Sequence, residues 1–170
     1  VFYGQTGSAQ IWDCDISNYQ QRGIYCDAVG SSIDVRRNTI SGLNGNPDFT
    51  QHAIRVSRGA YGYVAENTVS GNNYTGPNNW AGSATIVAVD GAADVVNNAF
   101  SNCDIGAWLV DNVTVATTVS GNTIDDVGYG SAYIIRCTSG DEVTGNVITN
   151  VRYDGNGIYM FESIGTTVNY

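Results

Sequence analysis

One short pattern recurs along almost the whole chain: an aliphatic residue, two variable residues, Asn, a variable residue, an apolar residue, then small or polar residues. Complete copies are VRRNTISG at 35–42, VAENTVSG at 64–71, VVNNAFSN at 95–102, VSGNTIDD at 119–126 and VTGNVITN at 143–150. A further copy, IWDCDISN at 11–18, has Cys14 in the Asn place, and Val168 begins another. Successive copies start 24, 29, 31, 24, 24 and 25 residues apart. This near-constant period predicts a solenoid, in which each repeat packs on the next.

Each copy is followed by a second short apolar run, which limits what the repeat unit contains. These runs are GIYC at 23–26, AIRV at 53–56, TIVA at 85–88, GAWL at 106–109, AYII at 132–135 and GIYM at 157–160. A 24-residue unit is too short for a strand, a full helix and two loops, and no stretch shows helical apolar spacing. With only two Leu, the chain also lacks the scaffold of a leucine-rich repeat.

The predicted fold is therefore all-β: a right-handed parallel β-helix of about seven coils, with roughly 24 residues per minimal coil. Residues 1–170 form a single domain, and right-handedness follows from the usual hand of parallel strand connections. The repeated Asn residues are predicted to adopt the left-handed conformation at bends and to stack as a ladder of side-chain amides. They are architecture rather than a site: Asn38, Asn67, Asn98, Asn122 and Asn146.

Charge and composition exclude several functions. The net charge is −9, from 16 acidic and 7 basic residues, and every basic residue is Arg. Without grouped cations we expect no nucleic-acid partner and no binding to an anionic membrane, and no apolar run is long enough for a membrane helix. The absence of Lys excludes Schiff-base chemistry. Cys14, Cys26, Cys103 and Cys137 are not spaced as a zinc site and form either two disulfides or buried thiols.

Two coils are longer than the others, and insertions in a solenoid usually lie on its binding side. The insertions cover residues 43–53 and 71–85 and leave neighbouring coils at the same corner, so we expect them to lie against one another. Just after that corner, the second strands should present a column of outward side chains that is rich in aromatic rings. The predicted column consists of Tyr25, Arg55, Val87, Trp108, Tyr133 and Tyr159. The candidate carbohydrate contacts are its aromatic residues Tyr25, Trp108, Tyr133 and Tyr159, together with Tyr74 and Trp80 of the second insertion.

Aromatic faces beside Asn and Asp suit sugar rings, because the apolar face of the sugar packs on the ring while its hydroxyls meet amides and carboxylates. The same aromatic residues would equally suit a contact with a partner chain, so both interpretations stay open.

The only His of the chain lies near the first insertion and suggests one type of chemistry. His52 is close in sequence to Asp48 and Arg55, with Arg58 nearby. A uronate lyase or epimerase needs a base that removes the proton next to a carboxylate and a cation that neutralises that carboxylate. These residues are therefore the candidate catalytic set. The alternative is a lone surface His with an Arg that pairs with nearby acids.

Other acidic residues give weaker signals. Asp104, Asp111, Asp126 and Asp154 fall at unequal places on successive coils and are interpreted as solvated surface charge rather than paired glycosidase carboxylates. Ca²⁺ is conceivable for so acidic a chain, but no calcium motif occurs, so neither a metal site nor a cofactor is predicted.

The Asn-Thr-Ile-Ser-Gly type of repeat, as at 38–42, resembles the pectate-lyase-like right-handed parallel β-helix superfamily over nearly the whole chain. That resemblance implies the fold; the superfamily itself includes polysaccharide lyases, glycosidases, alginate epimerases, phage tail spikes and structural surface solenoids. The leading hypothesis is an extracellular or surface-exposed scaffold, an assembly, filament or adhesion element with a polysaccharide-contacting face. The alternative is a polysaccharide-processing enzyme, a uronate lyase or epimerase before a glycosidase, acting at the corner formed by the insertions.

The ends suggest further partners, because Val168 begins a repeat that the sequence does not complete. We expect either flanking domains of a larger chain or self-association through the solenoid ends, since end coils expose unpaired strand edges.

Overall fold

The computed structural model describes residues 2–3, 6–78, 82–138, 140–152 and 155–169, with only the backbone of residues 2 and 3. Within these ranges the chain forms eighteen strands and no helix, and thus no helix that could span a membrane. The strands are β1 (Phe2–Tyr3), β2 (Gly7–Trp12), β3 (Asp15–Ser17), β4 (Arg22–Asp27), β5 (Ser31–Arg36), β6 (Thr39–Ser41), β7 (His52–Ser57), β8 (Tyr61–Ala65), β9 (Thr68–Ser70), β10 (Ala84–Val89), β11 (Ala92–Val96), β12 (Ala99–Val110), β13 (Thr118–Ser120), β14 (Thr123–Ile135), β15 (Glu142–Thr144), β16 (Val147–Val151), β17 (Asn156–Phe161) and β18 (Thr167–Asn169).

The repeat appears directly in the first sheet. Its seven strands run in the order β18-β15-β13-β11-β8-β5-β2, and each pairs in parallel with the equivalent strand of the next turn. The first residue of each repeat copy lies opposite the first residue of the next, from Ile11 opposite Val35 to Val143 opposite Val168. The predicted all-β parallel solenoid is therefore confirmed, with about six turns spaced by about 25 residues.

The second sheet has eleven strands, because two long strands join what would otherwise be two separate columns. The first halves of β12 and β14 continue the column of β3, β6 and β9, whereas their second halves continue the column of β1, β4, β7 and β10. Each turn thus presents three faces, and the column that contains β4, β7, β10 and β17 carries the candidate site.

The core is one continuous stack that runs through the turns. In β5, buried and half-buried residues alternate, so Ile33 and Val35 point inward. The same alternation places Ile40, Val69 and Phe100 above one another, each at most 1% exposed. Because each such side chain contributes roughly 1.5–3 kcal/mol on burial, the stack holds successive turns in register.

The repeated Asn residues, buried except for the half-buried Asn146, are hydrogen-bonded from turn to turn. The side-chain oxygen of Asn98 accepts from the backbone N–H and the amide of Asn67, at 2.9 Å each, and its amide donates to Asn122 Oδ1 at 3.0 Å. The same bonds link Asn38 to Asn67 and Asn122 to Asn146. At the end of the series, Cys14 donates its backbone N–H to the side chain of Asn38.

The conformation predicted for these Asn residues was wrong. The positive φ falls on the residue before each of them: Arg37 at 52°, Glu66 at 59°, Asn97 at 54°, Gly121 at 64° and Gly145 at 60°. That preceding residue reverses the chain direction, so the Asn can turn its side chain inward between two turns. Asn is therefore needed for its paired donor and acceptor rather than for its tolerance of the left-handed region.

The cysteines act as apolar residues in this fold. All four are free thiols; Cys26, Cys103 and Cys137 are buried and Cys14 is exposed. Of the two alternatives, the structure contains the buried thiols and no disulfide among these four residues. Burial raises the pKa of Cys103 to about 12, so this thiol is unreactive in the folded chain.

Candidate functional site

The two insertions lie against one another at one corner of the solenoid. Among the described residues they form the loop 42–51 and the loop segments 71–78 and 82–83, and they end slightly earlier than predicted because β7 begins at His52 and β10 at Ala84. An isolated parallel bridge joins Asn46 to Tyr74. Asn46 donates its N–H to Asn73 O at 3.1 Å, and Thr75 donates to Asn46 O at 3.0 Å. The loops therefore continue the parallel pairing of the solenoid beyond its sheets.

The first loop is fixed by a buried side chain whose role the sequence did not reveal. Gln51 is fully buried, donates its amide to Tyr19 O at 2.8 Å and accepts the N–H of Leu43 at 3.0 Å. Within the loop, Asn46 Oδ1 accepts the N–H groups of Asp48 and Phe49, at 2.9 and 3.0 Å. Asp48 and Phe49 are therefore held in a defined position beside β7.

The second loop is fastened by Asp104, and here the prediction of solvated charge was wrong. Asp104 is only 5% exposed, and its Oδ2 accepts the N–H of Tyr74 at 2.8 Å and of Ser83 at 2.9 Å. One carboxylate oxygen thus ties both ends of the loop. Burial raises the pKa of Asp104 above its usual range, although these N–H donors and Arg152 act in the opposite direction.

We expect Asp104→Ala to loosen the second loop and to lower the free energy of unfolding by about 1–2 kcal/mol, because two backbone N–H groups lose their acceptor. The measurement is amide hydrogen exchange at Tyr74 and Ser83, combined with urea unfolding. Asp104→Asn keeps one acceptor oxygen and serves as the matched control, with most of the protection retained. Unchanged exchange at both amides in Asp104→Ala would show that the carboxylate does not hold the loop.

Between the loops and the sheet lies a cleft of about 330 Å³ that brings the predicted catalytic set together. Its lining includes Gln21, Arg22, Asp48, Phe49, Thr50, His52, Arg55, Tyr74 and Asn78. Asp48, His52 and Arg55 therefore share one cleft with the predicted sugar contact Tyr74. Arg58 instead binds Asp27 through its guanidinium, with Nε–Oδ1 at 2.6 Å.

Arg22 completes the positive charge of the cleft and was not predicted as a site residue. It lies opposite His52 in the register of β4 and β7. Its guanidinium carbon lies 4.8 Å from the centre of the Tyr25 ring, and that of Arg55 lies 6.0 Å from the same centre. The guanidinium groups are attracted to the electron-rich face of the Tyr25 ring, and Tyr25 stays a predicted sugar contact.

Arg22 and Arg55 differ from the other arginines in their partners. Arg36, Arg37, Arg58, Arg136 and Arg152 each form an ion pair with an Asp. Neither Arg22 nor Arg55 forms an ion pair within the described part of the chain, and Arg55 donates from Nε to Ser57 Oγ at 3.0 Å. Burial and the nearby Arg22 lower the pKa of Arg55. Two like charges therefore lie side by side without a paired carboxylate, which favours an anionic ligand.

His52 is neutral in this environment. It is 8% exposed, and burial together with the charges of Arg55 and Arg22 lowers its pKa to about 3. At neutral pH the imidazole is therefore unprotonated, and with so low a pKa it is a weak base while the cleft holds no anion. A bound anion would oppose the two guanidinium charges and raise its pKa.

The outward column has the register that the sequence suggested. Tyr25, Arg55, Val87, Trp108, Tyr133 and Tyr159 lie opposite one another on consecutive turns. Val87 is nonetheless buried, in a small cluster with Ala84 and Ile105 against which Trp108 and Tyr133 pack. Tyr133 is half-buried and donates its hydroxyl to Tyr129 O at 2.7 Å, whereas Tyr159 is exposed. Trp80 lies outside the described residues.

An apolar cleft adjoins the charged one. It has a volume of about 340 Å³ and shares Thr50, His52 and Arg55 with its neighbour, while Val87, Val89 and Trp108 form its apolar wall. A ligand at the two guanidiniums would therefore have an aromatic surface beside it.

The remaining acids do not gather at this corner. Asp111 pairs with Arg136 and Asp126 with Arg152, while Asp154 lies outside the described residues. Asp111 and Asp126 are thus ion-paired rather than simply solvated. Among the residues described, no group of three His, Cys, Asp or Glu side chains is arranged to hold a metal ion.

The comparisons with known proteins add no relative. Protein-family models, curated proteins and solved structures were each searched with this chain, and none of the three searches gave a match.

Proposed function

We propose that this chain is an extracellular or surface-exposed β-solenoid scaffold that binds an acidic polysaccharide in the cleft between its two long loops. The observation that carries the proposal is the pair Arg22 and Arg55, which lack an ion-pair partner among the described residues although the chain carries a charge of −9. A guanidinium binds a carboxylate through directed, charge-assisted hydrogen bonds. The resemblance to pectate-lyase-like β-helices supports the same ligand class.

The geometry supports an acidic sugar better than a neutral one. Asp48 lines the cleft together with Arg22 and Arg55, so the cleft carries a net charge of about one positive unit. This charge matches a ligand with one carboxylate group rather than a cluster of phosphates. The adjoining wall of Val87, Val89 and Trp108 offers an apolar surface to the face of the sugar ring. Self-association through the solenoid ends remains part of the scaffold hypothesis.

The test is a binding screen of polyuronates by isothermal titration calorimetry. We expect Arg55→Gln and Arg22→Gln each to weaken binding by roughly 10- to 100-fold, the loss of one charge-assisted hydrogen bond. Arg37→Gln, which removes the same charge from a surface pair with Asp13, serves as the matched control and should leave affinity unchanged. Added salt should also weaken binding, because the contact is partly exposed. Equal losses in all three variants, or no binding to any polyuronate, would contradict the proposal.

A second candidate, a uronate lyase or epimerase, is favoured by the meeting of His52, Asp48 and Arg55 in one cleft. Neutral His52 would accept the proton next to the carboxylate while Arg22 and Arg55 neutralise the carboxylate. In a lyase the electron pair of that C–H bond forms the C=C bond as the glycosidic C–O bond breaks, and the departing oxygen takes up a proton. The readout is the absorbance of the unsaturated product. Product that disappears in both His52→Ala and Arg55→Ala, with binding retained in His52→Ala, would establish the enzyme.

A further inference from the structure

The outward face of the sheet that carries the cleft changes character along the solenoid. Its two columns of outward side chains are in register: Tyr25, Arg55, Val87, Trp108, Tyr133 and Tyr159 in one, and Asp27, Ser57, Val89, Val110, Ile135 and Phe161 in the other. The first two turns contribute polar or charged groups beside the cleft. The next four contribute apolar groups.

These apolar groups form a continuous surface, which we name the apolar strip: Val89, Trp108, Tyr133, Ile135, Tyr159 and Phe161. The rings of Tyr133 and Tyr159 have centroids 5.1 Å apart, and those of Tyr159 and Phe161 are stacked at 6.5 Å. Tyr159 and Phe161 are 37% and 45% exposed. The strip adjoins the charged cleft, because the apolar cleft contains both Arg55 and Trp108.

Among the described residues, the strip has no unpaired cation beside it for a second negative charge. Arg136, which follows Ile135, is bound to Asp111, with Nε–Oδ1 at 2.6 Å. A carboxylate placed over Trp108 or Tyr133 would lose hydration against apolar groups without gaining a cation, which is unfavourable. The net charge of −9 would further repel it.

We propose that the ligand is a glycan of uneven charge that runs along the solenoid axis. One or two carboxylate-bearing residues bind at Arg22 and Arg55, and uncharged residues follow with their ring faces on the apolar strip. Successive strands lie ~4.8 Å apart, so each turn adds its outward side chains one strand spacing further along the axis. The inference rests on the proposed function and narrows its ligand from polyuronates in general to sparsely charged chains.

The experiment uses four forms of one backbone, so that only the number and position of charges change. The probes are hexagalacturonate as the free acid, its fully methyl-esterified form, and hexamers with free carboxylates on two residues at either end. By calorimetry at fixed ionic strength, we expect the better end-charged hexamer to bind about 10-fold more tightly than the two uniform forms, since it alone satisfies both surfaces. Trp108→Ala and Tyr159→Ala should each weaken that hexamer several-fold, whereas Trp12→Ala, on the opposite sheet, should not.

The outcomes distinguish failure of the inference alone from failure of the proposed function. Tightest binding by the free acid, with the aromatic variants unaffected, would overturn the inference and leave acidic-polysaccharide binding intact. No binding by any hexamer would remove both. Sedimentation that shows self-association lost in Tyr159→Ala, without any difference among the hexamers, would overturn the inference and make the strip a contact between protein chains.

Discussion

Asn98→Ala should lower the free energy of unfolding by about 3–5 kcal/mol, because a fully buried amide with several partners is removed. Asn98 accepts twice from Asn67 and donates to Asn122 Oδ1, Val64 O and Val96 O. Ala leaves these groups inside the solenoid without their bonds and without access to water. Adjacent turns are then held together by apolar stacking alone at this corner.

The measurement is equilibrium unfolding in urea followed by far-ultraviolet circular dichroism. Asn146→Ala is the graded control, since Asn146 is half-buried and donates to Val119 O while accepting from Asn122. Asn146→Ala should lower the free energy of unfolding by about 1–2 kcal/mol, because water can replace part of the lost hydrogen bonding at this half-buried position. An equal decrease in the free energy of unfolding for Asn98→Ala and Asn146→Ala would mean that burial does not determine how much each Asn of the ladder stabilises the fold.

The fold could be predicted because the repeat contains the register. Residues that begin successive copies, such as Val64 and Val95, are the residues that pair. A fixed period leaves few ways to bury one apolar face of each copy, and stacking equivalent strands buries the apolar faces of all the copies at once. The outward column followed from the same alternation, including Trp108 opposite Tyr133.

The charged residues of the site were predicted only where they are neighbours in sequence. Asp48, His52 and Arg55 lie within eight positions of one another. Arg22, by contrast, comes from the preceding turn, and its place beside His52 depends on strand register rather than on a motif.

The burial of Asp104 could not be predicted from the sequence, because its hydrogen-bond donors are backbone N–H groups of a loop that has no equivalent in the other repeats. Long-range polar contacts made by irregular loops are the part that periodicity cannot supply.

The stability of the chain should fall on mild acidification, and much of that loss should disappear in His52→Gln. In the unfolded chain the pKa of a His is about 6.5. In the folded chain the pKa of His52 is lowered to about 3 by burial and by Arg55 and Arg22. Between these values the unfolded state binds a proton that the native state does not, so stability falls as pH decreases through this window. The contribution is about 2 kcal/mol by pH 5 and about 4 or 5 kcal/mol by pH 3.

The comparison to make is the free energy of unfolding of the two proteins at pH 7 and pH 5. The wild type should lose about 2 kcal/mol more than His52→Gln over this interval. The pKa values of Asp13 and Asp27 are lowered by Arg37 and Arg58, so protonation of these carboxylates in acid also lowers the free energy of unfolding. Because both proteins contain these residues, this contribution cancels in the difference between them. Parallel losses in the two proteins would mean that His52 is accessible to protons in the native state.

The same measurement connects stability to the cleft. An anion bound between Arg22 and Arg55 would oppose the charges that lower the pKa of His52, so a saturating oligouronate should reduce the acid-dependent loss in the wild type. In His52→Gln the ligand should stabilise the chain equally at pH 7 and pH 5, because no histidine proton is coupled to binding. A ligand effect with the same pH dependence in both proteins would place the anion away from His52 and would argue against this cleft as the binding site.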